Sequence, residues 1–253
     1  MSELLDTSIK ERLWHKMRAY LTKFVPEIAN NRLLMCCACG RFLPQDDFDL
    51  EHVIPQQALR EDPLEVRNDP ATPRNVRARN ILLCRKPLLY KNSPLHGSGC
   101  NSWKGKHFDG PIADILSGRA VTKSEDKRLY NTHIIGGLIL GYLAMVEEFG
   151  YITTLMKSGL LLREQFFNPH RFHRNLGSRY QILLSGAPAT TVDDPTWSKP
   201  FTFKLEHDAC YVTARNFVIT LPISRDPLAP IAHHLKFAPS RYKMRPDFGT
   251  SLT

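Results

Sequence analysis

Asp49-Leu50-Glu51-His52-Val53-Ile54-Pro55 is the stretch on which the reading of this chain turns. It sets a carboxylate beside a histidine, just ahead of a proline. Cys36-Cys37-Ala38-Cys39-Gly40 stands upstream. Downstream come Asn80-Ile81-Leu82-Leu83-Cys84 and Cys100-Asn101-Ser102-Trp103-Lys104-Gly105. A C-x-x-C followed by glycine places two thiolates on one tight turn, and glycine lets the chain fold back. Cys84 and Cys100 would complete a tetrahedral set of four around a structural Zn²⁺, stapling a region with too little apolar content to fold alone. A Cys37/Cys39 pair is the alternative knuckle. Cys210, alone in a strand-like segment, reads as a buried core thiol.

The Glu51-His52 pair points to metal-assisted hydrolysis. Cleaving a phosphodiester needs an activated water, a cation for the developing charge and stabilisation of the leaving oxygen. Histidine takes a proton from water near neutral pH, which suits His52 as general base. Glu51 offers hard oxygen to Mg²⁺ or Mn²⁺, and Asn101 offers a neutral oxygen as second ligand. Neighbouring side chains on a strand point to opposite faces. Glu51 and His52 therefore converge on one phosphate only if the backbone bends, and Pro55 is consistent with irregular backbone.

The chain around the pair is basic. Its 253 residues carry a net charge of +9, with a pI near 9.3, and 42% are hydrophobic. That composition supports a buried core and excludes a disordered or fibrous chain. The charge favours an anionic partner, DNA first and a membrane surface second. Between residues 67 and 106 lie Arg67, Arg74, Arg77, Arg79, Arg85, Lys86, Lys91, Lys104 and Lys106, against Asp69 alone. Arg77 and Arg79 are the candidates from the middle of this excess to meet phosphates. The opening residues hold an early acid and no apolar segment, so no secretory signal is expected. The longest apolar run, 134–146, contains three glycines and falls short of the roughly 20 residues of a membrane span. Six cysteines in such a chain favour metal over disulfides, and a cytoplasmic protein without membrane contact is expected.

Periodicity divides the chain into three parts. Residues 1–31 hold a helix capped by Asp6 or Thr7 and running to about Phe24, with Ile9, Leu13, Met17, Leu21 and Phe24 on one stripe. Residues 32–119 hold the cysteines and the Glu-His pair. Within them 61–79 reads as loop, Ile81-Leu82-Leu83 as a strand, and Ile112, Ile115 and Leu116 as a short closing helix. Residues 120–253 read as an α+β unit of unassigned role. Its helices are expected over 124–149 and 152–167, and its strands over 179–185, 201–207 and 211–221.

Taken together, Cys36-x-x-Cys39-Gly40, Glu51-His52-Val53-Ile54-Pro55, Asn80-Ile81-Leu82-Leu83-Cys84 and Cys100-Asn101-x-x-Lys104-Gly105 resemble the HNH (His-Asn-His) endonuclease family. The resemblance covers roughly residues 32–118. It implies the ββα-metal fold, in which two antiparallel strands and a helix grip one divalent ion. His52 then matches the general base and Glu51 the carboxylate ligand. Asn80 matches the asparagine that braces the loop and orients the base, with Asn75 as a rival. Asn101 matches the ligand at the end of the motif. Lys104 and Lys106 would lie on the helix near the scissile phosphate. The family closes its zinc site with a second C-x-x-C, whereas here 85–99 separates Cys84 from Cys100, which leaves His96 as an alternative ligand.

The fold class expected is α+β, a zinc-stapled ββα-metal nuclease module with an N-terminal helix and a C-terminal α+β domain. The activity expected is one-metal hydrolysis of DNA by an HNH endonuclease, nicking as a monomer. An effector role in bacterial anti-phage defence is a further expectation, with 120–253 serving regulatory partners or self-association. The alternative is a zinc-containing nucleic-acid-binding protein without catalysis.

Overall fold

The computed structural model describes residues 2–60, 62, 73–87, 89–90, 93–94, 99–119, 131–172, 181–184, 199–215 and 217–223. The first helix decides where the Glu51-His52 strand sits. Helix α1 (Ser2–Thr22) starts ahead of the expected cap and buries Met17 and Leu21, with Leu13 half-buried beside them. Trp14, off the expected stripe, is buried too. Its ring meets Phe48 edge-on, 5.8 Å between centroids, and so seats the helix on that strand. Pro26 then opens a 3₁₀ turn (Pro26–Asn30), fixed by Arg18 Nη2 donating to Ile28 O at 3.0 Å.

Strands β1 (Leu33–Met35) and β2 (Phe42–Pro44) form an antiparallel hairpin around the first cysteines. Its turn is closed by Gly40 N–H to Cys36 O and Cys36 N–H to Arg41 O, both 2.8 Å. Strand β3 (Phe48–His52) pairs antiparallel with β4 (Asn80–Cys84), from Phe48 opposite Cys84 to His52 opposite Asn80. Helices α2 (Gln56–Leu59) and α3 (Arg74–Ala78) lie in the connection between them. Helix α3 falls inside a segment expected to be loop; residues 61 and 63–72 of that segment lie outside the described residues. A two-residue hairpin, β5 (Leu89–Tyr90) with β6 (Ser93–Pro94), occupies part of the 85–99 insert, and His96 lies outside the described residues. Helices α4 (Gly99–His107) and α5 (Asp109–Leu116) follow.

Helix α6 (Asn131–Phe149) is the central element of the second half, buried from Ile135 to Val146. It is long and apolar enough to cross a membrane, but 67% of its most apolar window is buried inside the protein. Residues 124–130 of the expected span lie outside the described residues. Gly141 lets the C-terminal sheet come close, since a Cβ there would stand 2.9 Å from Leu221 Cδ1. The single helix expected over 152–167 is two, α7 (Tyr151–Leu155) and α8 (Lys157–Phe166), because Met156 is extended at ψ 156°. The run 211–221 is likewise two strands. Strands β9 (Ala209–Ala214) and β10 (Phe217–Pro222) turn back on each other at Arg215, whose φ is 52°. With β7 (Gln181–Leu184) and β8 (Phe201–Glu206) they make a four-stranded antiparallel sheet in the order β7-β10-β9-β8. Cys210 is fully buried on β9, and burial pushes its thiol up to about 11. The structure is thus mixed α and β. One continuous core, from Trp14 through Cys36 and Leu138 to Leu221, draws on all three expected segments, 1–31, 32–119 and 120–253.

Candidate metal centre

Three short elements bring four cysteines together. Cys36 and Cys39 lie on the turn between β1 and β2, Cys84 ends β4, and Cys100 sits in the first turn of α4. Their sulfurs all lie within 4.8 Å of one another, Cys39 and Cys84 at 3.6 Å. All four are free thiols, at most 2% exposed. A tetrahedral zinc–thiolate site, with metal–sulfur bonds near 2.3 Å, needs sulfurs about 3.8 Å apart. A disulfide needs about 2.05 Å. The cluster therefore has the spacing of a metal site, and Cys36/Cys39 rather than Cys37/Cys39 supplies the knuckle.

The thiols divide in their acidity. Burial raises all of them. For Cys39 the neighbouring thiols Cys100, Cys36 and Cys84 and the charge of Arg41 overcome it, bringing the thiol well below its ordinary value. Cys84 and Cys100 are pushed well above theirs, by burial first. Without a cation the four sulfurs share their protons; a divalent ion is what allows all of them to ionise.

Arg41 is a member of this centre that the cysteine spacing did not reveal. It is 6% exposed, with Nε 3.4 Å from Cys39 Sγ and Nη2 3.3 Å from Cys84 Sγ. Nη2 also donates to Lys86 O at 2.7 Å and Nη1 to Pro87 O at 3.1 Å. Four thiolates around a divalent ion leave two net negative charges, and a buried guanidinium against two of the sulfurs offsets one of them. The second half of the chain holds the knuckle backbone. Tyr142 Oη donates to Cys37 O at 2.7 Å, Tyr151 Oη to Met35 O, and Arg163 Nε to Ala38 O at 3.2 Å.

Gly99 is the other feature the cysteine spacing left unread. Its φ is +75°, and a Cβ there would stand 2.5 Å from Lys86 O and 2.7 Å from Cys84 O. Only glycine lets Cys100 approach Cys84 so closely. Gly99→Ala is therefore expected to lose about 2 kcal/mol or more of stability, from the left-handed backbone and the collision together. Metal content and thermal melting of the variant check this; an unchanged melt with full metal content would contradict it.

Glu51, His52, Asn80 and Asn101 sit on β3, β4 and α4 beside this cluster. The register pairs His52 with Asn80 and Glu51 with Ile81, so the regular strand directs Glu51 and His52 to opposite faces. Strand β3 stays regular through His52 and the chain bends directly after it, at Val53 and Ile54, so the two side chains can share a phosphate only across the strand's end. His52 and Asn101 are half-buried. Asn80 Nδ2 donates to Asn75 O at 2.9 Å, tying β4 to α3, and its Oδ1 is buried without a partner.

Glu51 does not stand alone. The Lys104 ammonium, 0% exposed, lies 2.6 Å from Glu51 Oε1, 2.6 Å from Asp109 Oδ1 and 3.0 Å from His52 O. Burial raises the Glu51 carboxyl and the Lys104 charge only partly offsets it, leaving its pKa above the ordinary value. Two carboxylates and a carbonyl form an oxygen set that fits a hard divalent cation. Asp109 is part of it, and nothing in the spacing marked that residue.

Three of the four basic residues expected on nucleic acid have carboxylate partners within the chain. Lys104 is enclosed as described. Arg77 is 3% exposed and pairs with the buried Asp62 at 2.8 Å. Arg79 binds Glu147 through Nε at 2.7 Å and Glu148 at 2.9 Å. Lys104 and Arg77 have each found a carboxylate inside the fold, which a cation entering the protein must do, whereas the Arg79 pairs lie nearer the surface. Lys106 alone of the four is exposed. No family model, curated protein or solved structure matches the chain. Its own geometry shows a buried four-cysteine cluster able to bind a metal such as zinc.

Proposed function

We propose that the protein is a zinc-stapled HNH-type endonuclease that hydrolyses DNA with His52 as general base. One observation carries the reading. The four-cysteine cluster ties β4, which bears Asn80, to the helix α4 that bears Asn101, and β3 with Glu51 and His52 is held there by its antiparallel pairing with β4. In this reading the buried cluster is a closed, structural zinc site. His52 takes the proton of the attacking water. Asn80 spans from β4 to the Asn75 carbonyl and fixes the chain opposite His52. Mg²⁺ or Mn²⁺ bound by Glu51 and Asn101 would supply charge stabilisation at the phosphate and the departing 3′ oxygen. A single site nicks one strand, and 5′-phosphate products fit the resemblance. A nuclease of this kind endangers its own cell, so restraint by partners through residues 120–253, as in a cytoplasmic anti-phage effector, belongs to the same proposal.

Nicking of supercoiled plasmid in Mg²⁺ or Mn²⁺ tests it. Wild type is expected to convert plasmid to the nicked form and His52→Ala to lose about 10²-fold or more of that rate. Equal rates in both would reject His52 as base. The second reading, a zinc protein that binds nucleic acid without cutting it, draws on the Lys104 ammonium against Glu51. Binding of the plasmid with no cleavage by either protein would favour it.

A further inference from the structure

We propose that Lys104 and a divalent cation compete for one oxygen cage, formed by Glu51, Asp109 and the His52 carbonyl, so that metal loading expels the lysine. The proposal rests on the metal-dependent reading of Glu51 and makes Asp109 a ligand. Lys104 Nζ touches oxygens from strand β3, from the backbone of His52 and from the first residue of α5, at 2.6, 3.0 and 2.6 Å. That is the donor set of a hard cation, with an ammonium in its place. Magnesium sits about 2.0–2.1 Å from its oxygens, so the two carboxylates need to close in by about half an ångström and the His52 carbonyl by about one.

Charge gives the exchange its direction. Two carboxylates against one ammonium leave a net negative charge where Lys104 is 0% and Glu51 only 7% exposed. A divalent ion neutralises both carboxylates and returns the ammonium to water, and an uncompensated buried charge is costly. Lysine suits an exchangeable occupant, being a compact charge on a flexible four-carbon stem. Asn101 lies one turn before Lys104 on the same helix, where its oxygen can replace a contact the lysine gives up. The expelled ammonium, on the helix that carries Asn101, then becomes available to a phosphate. The metal-free protein thus hides one of its own anion contacts, and the cation that completes the site exposes it.

The test uses the full chain with its zinc bound and without DNA. An amine-acylating reagent is applied with and without Mn²⁺, and modification is read by mass spectrometry against Lys106. Lys104 is expected to be protected without Mn²⁺ and to react roughly tenfold faster or more with it. Calorimetric titration with Mn²⁺ is expected to show roughly tenfold weaker binding by Asp109→Asn and roughly tenfold tighter binding by Lys104→Met. Mn²⁺ binding that leaves Lys104 as protected as before would overturn the proposal, as would Asp109→Asn with wild-type affinity. The two readings fail separately. Lysine release without plasmid cleavage rejects the nuclease and leaves the cation site. Cleavage with Lys104 still protected rejects the competition and leaves the nuclease.

Discussion

Cys100→Ser is expected to empty the metal centre and unfold the protein at ordinary temperatures. The four sulfurs bridge the β1–β2 turn, the end of β4 and the start of α4, elements of only three to nine residues each. Elements so short do not persist unless tertiary contacts hold them. Structural zinc binding contributes about 10–16 kcal/mol in small zinc domains near pH 7, as large as the whole stability of a typical domain, about 5–15 kcal/mol. Serine would also leave three buried thiols, two of them against Arg41, without their ion. The loss would spread, because Tyr142, Tyr151 and Arg163 bond the carbonyls of Cys37, Met35 and Ala38. Those side chains belong to α6, α7 and α8, so melting of the knuckle would leave buried donors without acceptors in the second half of the chain. Elemental analysis of protein purified under reducing conditions, with thermal melts before and after a strong chelator, provides the measurement. One zinc per wild-type chain and none in the variant is expected, with a common loss of the cooperative transition. A variant that keeps its zinc would remove Cys100 from the ligand set.

The cysteine cluster was legible in the sequence because its chemistry leaves few solutions. A C-x-x-C-G turn brings two thiols to one side, two further cysteines in the same region complete the set, and the rivals, Cys37 and His96, were few. Strand β4 and helix α5 were legible for a similar reason, each being a short apolar pattern with clear ends. The charged groups were not. A count of arginines and lysines records charge and says nothing of the partner each cation finds in space. Arg77 meets Asp62 across fifteen positions of the sequence, and Arg79 meets Glu147 and Glu148 some seventy positions away. The Lys104–Asp109 pair hid differently. Its spacing is five, not the three or four that makes neighbours on one helix, and the pair forms because the chain changes helix at Phe108. The breaks at Met156 and Arg215 were missed because neither carries glycine or proline, the residues that normally announce a turn.

Lys104→Met is expected to cost about 3–5 kcal/mol near neutral pH in the metal-free site, the usual result of removing one partner from a buried ion pair. The loss should depend on pH with a definite sign. In wild type burial pulls the Lys104 pKa down, but Glu51 and Asp109 outweigh it and leave the value raised. Its contribution is then fully present below the ordinary lysine value and is lost only as pH rises through the folded one, well into alkali. Glu51 is also raised, so between its unfolded and folded values the native state holds the extra proton and stability falls as pH rises. Methionine removes the charge that restrained this shift, which drives the Glu51 value higher and widens the window upward from about 4.3. Above that window the variant must bury ionised carboxylate without compensation; within it the carboxyl can protonate instead. The gap between variant and wild type in chemical denaturation should therefore narrow on acidification, with zinc retained in both proteins. A gap that is constant or widens toward acid would mean that the ammonium contributes by packing rather than by charge. Mn²⁺ should narrow the gap at pH 7.5, by the amount that its tighter binding to the variant supplies, since a divalent ion provides the positive charge that the substitution removes.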